Sequence, residues 1–440
     1  MNQENFNEFC QNIFKSLSSH ETLFLYIESE NSTFVRFNKS QIRQGGSVEQ
    51  KVLTATYISQ NKQQQFSMDL SSNPEQDLQF IQSTLDQFRQ QTSILPEDPF
   101  LVYSTEPSQL HDKPSAQVFS ETQICEDVLE FAASEDFVGF LGSGQQYTGL
   151  CSSLGHNLGF SRPSFCLDWS LYFKDDIASK GQYSGSEWSR TQFEAELKKS
   201  QSELQFLKRD PITLKPGQYR IYLAPDSVGE IINLLAWGGF SGEQYFNKTS
   251  VLQKLYDKKI SLSPMLDWQE NRSAGQTPQF DELGFVFNKD CQLVKGGQFS
   301  QALVSPRTAK EHQVEYNSDS SESIYNFQMK PGQLPINQVL QELGTGLYIG
   351  NLWYLDYSDW NQCRMTGMTR YGCFWVEGGE IQNPFTPMRF DASLFDFFGN
   401  NLEGLTDKTT FIADPSTYYK RSNNSLDVPG ALVNDFTLTL

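Results

Sequence analysis

Four histidines, at 20, 111, 156 and 312, and seven cysteines, at 10, 125, 151, 166, 291, 363 and 373, are the residues of this 440-residue chain best suited to ligate a metal or to act as base and nucleophile. Their spacing argues against both uses. No two histidines fall at the i, i+4 separation that sets two imidazoles on one helical face, and His-Glu-x-x-His is absent. Cys363 and Cys373 are the closest cysteine pair, and their spacing matches no recognised zinc motif. The sequence therefore predicts no metal site built by this chain alone. The nucleophile elbow Gly-x-Ser-x-Gly is also missing. Gly239-Phe240-Ser241-Gly242 is one residue short of it and follows a predicted helix instead of a strand. A Ser/His site assembled in space around His156 or His312 stays open as an alternative. Phosphate-binding glycine motifs are absent, and Gly142-Ser143-Gly144 reads as a turn. The acidic pairs Asp175-Asp176 and Glu126-Asp127 read as solvated surface, and the aromatic runs 352–357 and 373–376 read as buried strands.

The elements that would position such residues follow from periodicity. Phe6, Phe9, Ile13, Phe14 and Leu17 make one apolar stripe and predict a helix over 5–17. Alternating runs rich in Thr, Tyr, Val and Phe predict strands at 23–27, 32–37 and 51–59. Asn73-Pro74, a cap followed by proline, opens a helix over 75–91. Pro96, Pro99, Pro107 and Pro114 mark a linker over 93–114. A helix at 122–134, strands at 137–141 and 164–173, and a helix over 191–209 follow. Next come a strand at 217–223 and a helix from Pro225 to about Trp237, then mostly short strands, with helices at 335–343 and 392–402. The fold class is α+β: N-terminal α/β units, with helices packed on an antiparallel sheet, precede a β-rich C-terminal domain. The domain expectation is a helix-strand-helix unit over 1–95, a central unit over 115–212 and a C-terminal domain over 216–440.

Composition narrows the class of partner. Arg and Lys number 34 against 53 Asp and Glu, a net charge of −19. Such a chain repels phosphate backbones and anionic membranes, so neither nucleic acid nor membrane is expected as a partner. The opening residues lack the basic and apolar regions of a secretory signal, and the most apolar stretch, 231–240, is far short of the ~20 residues of a membrane span. With an odd number of widely spaced cysteines, the expectation is free thiols in a reducing cytoplasm.

Resemblance carries the reading further. Gly350-Asn351-Leu352-Trp353-Tyr354, then 365–372 (Met-Thr-Gly-Met-Thr-Arg-Tyr-Gly), then Glu377-Gly378-Gly379-Glu380-Ile381 and Met388-Arg389-Phe390-Asp391 stand in a specific order and spacing. Ala224-Pro225, Phe240-Ser241-Gly242-Glu243 and Thr249-Ser250 agree with it, as do Phe34 to Asn38 with Ile42. This pattern resembles the TldD/PmbA family, once called modulators of DNA gyrase. Nothing in these residues supports binding to gyrase.

That family has two kinds of subunit. One carries His-Glu-x-x-x-His on a helix, with a cysteine near the C-terminus, and is a zinc metallopeptidase. The other, the TldE/PmbA type, lacks these ligands and pairs with the first around a chamber for unfolded or leader-bearing peptides. An ungapped match anchored on Ala236, Gly238, Phe246 and Asn247 places Leu234 and Gly239 at the two histidines and Leu235 at the catalytic glutamate. No cysteine follows Cys373. The resemblance therefore implies a TldE/PmbA-like cytoplasmic subunit with no metal of its own, zinc being held by a TldD-type partner in a heterodimer. The other reading is a homodimeric peptide-binding or scaffold protein. Glu230 and Glu243 flank the degenerate motif and are the expected contacts to substrate or partner.

Overall fold

The computed structural model describes residues 3–111 and 119–439. The chain opens with α1 (Gln3–Phe14), whose buried face is Phe6, Cys10 and Ile13. Three strands follow, β1 (Thr22–Asn38), β2 (Gln41–Ser59) and β3 (Lys62–Asp69), then α2 (Pro74–Gln91). The Asn73 side chain accepts hydrogen bonds from the amides of Glu75 and Gln76 and so caps α2 as its sequence predicts. After β4 (Gln109–His111) and α3 (Glu121–Phe131) come β5 (Asp136–Ser152), β6 (Asn157–Lys174), β7 (Ile177–Gly185) and α4 (Arg190–Leu207). These strands form one seven-stranded sheet, in the order β3-β2-β1-β5-β6-β4, with β7 paired to β6. β1 pairs with β2 on one side and β5 on the other, so strands from both N-terminal units share a sheet. One core packs Phe6, Ile13, Leu25 and Leu85 of α1, β1 and α2 together; another packs Trp169, Phe193 and Leu197 beneath α4.

The C-terminal part starts with β8 (Gly217–Leu223), α5 (Pro225–Leu235) and α6 (Gly242–Phe246). Short strands follow: β9 (Trp268–Glu270), β10 (Cys291–Lys295), β11 (Gln298–Phe299) and β12 (Asn326–Met329). The long hairpin β13 (Gly346–Asp359) and β14 (Arg364–Glu377) comes next, then β15 (Glu380–Pro384), β16 (Arg389–Ser393), β17 (Leu402–Ala413) and β18 (Ser425–Leu438). They make an eleven-stranded sheet in which β18 pairs with both β16 and β8. Strands β8, β13, β14, β16 and β18 thus close on themselves around the largest apolar core. The α+β class holds.

Several local expectations change. The predicted strands 23–27 and 32–37 are one strand, because β1 is paired along both edges. Gly142 and Gly144 lie inside β5 and not in a turn. Gly144 has φ +140°, and a Cβ there would stand 2.1 Å from the Asn31 carbonyl oxygen, so glycine serves close strand approach. The predicted helix 392–402 is the end of β16, a short π-helical turn (Asp396–Asn400) and the start of β17. Asp127 is buried, accepting from Trp188 Nε1 at 2.8 Å and pairing with Arg190 at 3.1 Å. Trp353 and Tyr354 are 46% and 73% exposed, so this part of the aromatic run is not core. The predicted linker is pinned in part, since the Ser104 amide donates to the Leu283 carbonyl. Its end at Pro114 lies outside the described residues.

Candidate functional cleft

Helix α5 carries both the degenerate motif and the wall of a cavity. Ala224 and Pro225 start it, and the Ser227 hydroxyl and Ala224 amide each donate at 3.0 Å to the Ile349 carbonyl, fixing the helix on β13. Val228, Ile231, Ile232 and Leu235 are fully buried on one face. The opposite face, Asp226, Gly229, Glu230 and Asn233 at helical spacing, lines a cavity of about 400 Å³, joined by Trp237 just past the helix end. β6 and β7 supply the facing wall with Asp168, Lys180 and Gln182, and the β17–β18 connection adds Asp414 and Asn424.

The electrostatics of this cavity are dominated by carboxylates around one ammonium. Lys180 Nζ lies 3.7 Å from Asp168 Oδ2. Burial pushes the Asp168 and Glu230 carboxyls above their ordinary range, with Lys180 pulling the other way. Asp226 lines the cavity with part of its surface open, and the protein packed around it raises its carboxyl as well, Lys180 opposing. Burial alone would lower Lys180, yet attraction by Asp168, then by Glu230 and Asp226, holds it raised and charged. With Asp414 the site has an excess of negative charge suited to an amino terminus or a basic side chain.

A second cavity of about 770 Å³ continues the first, sharing Tyr325, Asp414 and Asn424 with it. Its far wall is the face of β1 and β2, with Tyr26, Glu28 and Gln50. The β17–β18 connection crosses to that wall and is locked by Arg421, which is only 5% exposed. Arg421 donates to Ser32 Oγ at 2.8 Å, to Ser164 O and Oγ at 3.1 and 2.9 Å and to Gly144 O at 3.0 Å, while its amide donates to Glu30 Oε2 at 3.0 Å. Burial lowers its pKa to about 10. Gly142 makes room for this side chain: a Cβ there would stand 3.2 Å from Arg421 Cδ.

Of the residues singled out from the sequence, Glu230 lines the cleft. Glu243 is exposed on α6, outside the cleft lining, its amide donating to Glu322 Oε2 at 2.7 Å. Leu235 is fully buried and Leu234 packs partly against the same core. Gly239 sits beyond the helix end, where a Cβ would be 2.6 Å from the Leu235 carbonyl oxygen. These three positions have no side-chain lone pair to offer a metal, so they do not fit the family's zinc. Among the described residues no group of three or more His, Cys, Asp or Glu is arranged to hold a metal ion. His156 is 2% exposed, bridging Ser152 Oγ at 2.6 Å and Ser104 Oγ at 3.0 Å away from the cleft lining. It lies in the turn between β5 and β6 and ties the end of β5 to the loop that carries Ser104. His312 stacks on Phe246. Asp168, Lys180, Asp226, Asp414 and Arg421 were not singled out. Only Asp226 had a local signal, its helical spacing to Glu230.

Residues 216–440 match the family model for the PmbA/TldA metallopeptidase C-terminal domain. The chain belongs to the TldD/PmbA family. Metalloprotease PmbA of Escherichia coli O157:H7 is 28% identical over 169 residues, 37% of this chain and 36% of that protein. The chain thus spans about a third of the length of the curated relative it matches. Two solved structures share the TldD/PmbA fold over nearly the whole of both chains. TldE from Thermococcus kodakarensis superposes with a TM-score of 0.78 at 13% identity, covering 99% of each chain. A protein from Thermotoga maritima described as a modulator of a DNA gyrase also gives 0.78 at 13% identity, covering 98% of this chain and 100% of that one. At that identity the likeness is one of fold. No helix among the described residues is long and apolar enough to cross a membrane.

Proposed function

We infer that this chain is a TldE/PmbA-like subunit that completes a cytoplasmic proteolytic chamber with a TldD-type zinc subunit and holds unfolded or leader-bearing peptides there. The observation that carries the reading is α5: one helix presents Asp226 and Glu230 to the cleft while its motif positions Leu234, Leu235 and Gly239 have no metal donor. In this reading zinc, general base and attacking water come from the partner, and this chain's residues bind and orient. Among the described residues β7 is strand-paired with β6 alone, and it brings Lys180, Gly181 and Gln182 to the cavity, the Gln182 side chain bonding the Ala413 backbone. Its free edge offers backbone groups to an extended peptide without reading its sequence. The carboxylates around Lys180 favour a peptide amino terminus or basic side chain. Nucleic acid and membranes are not partners in this reading, since the surplus of acid repels both.

The partner surface in this reading is the β13–β14 hairpin. Trp353, Tyr354, Trp360 and Met368 are each at least 40% exposed on it, an apolar patch of the kind that marks association. The same patch favours the second reading, a homodimer that binds peptides without peptidase activity. Metal analysis and casein hydrolysis on the purified chain, alone and mixed with a TldD-type chain, separate the two. The expected result is no zinc and no cleavage alone, and chelator-sensitive cleavage with a mixed dimer in the mixture. Stoichiometric zinc and cleavage by the chain alone would overturn the subunit reading. A stable homodimer that never exchanges with a TldD-type chain would favour the second.

A further inference from the structure

A separate cavity of about 240 Å³ shares no lining residue with the cleft. Its walls are apolar: Ile177 of β7, Leu207 at the end of α4, Pro211 and Phe385. Pockets for drug-sized ligands run about 300–1,000 Å³, so this one is sized for a single side chain with its backbone groups. Arg370 borders it, and its guanidinium sits over two aromatic rings. Its central carbon lies 4.3 Å from the Trp353 ring centre and 4.9 Å from that of Tyr371. Among the described residues no carboxylate lies within 4.0 Å of that guanidinium, and its one side-chain hydrogen bond is a 3.5 Å contact to Tyr371 Oη. In this acidic chain Arg89, Arg190, Arg220, Arg307 and Arg364 all have carboxylate partners. Arg370 is thus an oriented cation with an unfilled bidentate face at the rim of an apolar pocket.

The backbone is bent to put it there. Tyr371 has φ +40° and Gly372 φ +56°, where the β13–β14 register shifts between Ile349 and Asn351. A bulky aromatic residue in that region is strained and persists only where the surroundings hold it. Here Gly350 permits the close approach, since a Cβ on it would stand 2.5 Å from the Gly372 carbonyl oxygen. The bulge places Arg370, Tyr371 and Gly372 at the cavity, whose lining also includes the exposed Asp176 at the end of the β6–β7 turn.

We propose that this cavity binds an apolar α-amino acid, its side chain against Ile177, Leu207 and Phe385 and its carboxylate on Arg370. The ligand is either the free amino acid, whose ammonium meets Asp176, or the C-terminal residue of a peptide, which has no ammonium there. Isothermal titration calorimetry on the full chain tests this with L-leucine, L-leucinamide, N-acetyl-leucine, N-acetyl-leucinamide, and a hexapeptide ending in leucine as free acid or amide. Saturable binding of at least one free acid is expected, with its amide about tenfold weaker or more, and the same loss in Arg370→Gln at unchanged thermal stability. Asp176→Asn weakening leucine but not N-acetyl-leucine assigns the free amino acid. No effect of Asp176→Asn, with the hexapeptide acid binding more tightly than leucine, assigns the peptide terminus. Equal binding of acid and amide, full binding by Arg370→Gln, or no saturable binding of any free acid at millimolar concentration would overturn the proposal. If Arg370→Gln fails to fold, the acid-against-amide comparison on the native chain still decides.

Discussion

Glu203 stands where α4, β7 and the β14 bulge meet. Ser179 Oγ donates to its Oε2 at 2.8 Å, and a Cβ at Gly372 would stand 3.1 Å from the same oxygen. Burial raises its pKa from 4.5 to about 7, with Ser179 opposing. A folded-state pKa above the unfolded value means that the folded form binds the proton more tightly. The contribution to stability is then full below pH 4.5 and is lost as pH rises through about 7. At about 1.4 kcal/mol per unit, the loss is no more than about 3.5 kcal/mol. Urea unfolding of native chain and Glu203→Gln at pH 5 and pH 8 checks this. The difference between the two should move in favour of the variant at pH 8, and an unchanged difference would show that the carboxyl is solvated. Little at this scale could be read from the sequence. Glu126-Asp127 and Asp175-Asp176 look alike as text, yet Asp127 is buried against Trp188 and Arg190 while Asp176 is exposed. What separates them is which element packs over each, and that is not local.

At the scale of elements, α5 was legible and its end was not. Apolar spacing and Pro225 locate the helix, but it stops at Leu235 and not near Trp237. Gly238, at φ +91°, turns the chain there, and Gly239 then packs against the last helical carbonyl. Gly239→Ala should therefore cost about 1–3 kcal/mol, as overpacking against backbone does. Gly46→Ala, where a Cβ meets nothing within 4 Å, is the control. Thermal melts of the two variants decide; equal melting temperatures would mean that the helix end gives way easily. The same crowding explains why restoring histidine at 239 by substitution should not by itself rebuild a metal site. The strands were legible as β but not in length, because β1 and β5 owe their extent to pairing along both edges.

Across the whole molecule, Arg421 ties the β17–β18 connection to the N-terminal sheet and so sets the roof shared by the two cavities. Replacing it with methionine leaves the Gly144 and Ser164 carbonyls without this partner. The expected cost is about 3 kcal/mol or more, together with faster proteolysis between Asp414 and Asn424. Urea unfolding and limited digestion measure both, and a variant as stable and as resistant as the native chain would remove Arg421 from this role. Sequence alone was enough for the α+β class, the start of α5 and the family, because each depends on short-range periodicity or on residue identity. The cleft belongs to the tertiary structure. Asp168, Lys180, Asp226 and Asp414 come from β6, β7, α5 and the last connection, and their charges interact only because burial removes the water that would screen them. Chain order holds no record of that desolvation, so neither the site's charge balance nor the fit of Arg421 against Gly142 could be had before the sheets were in place.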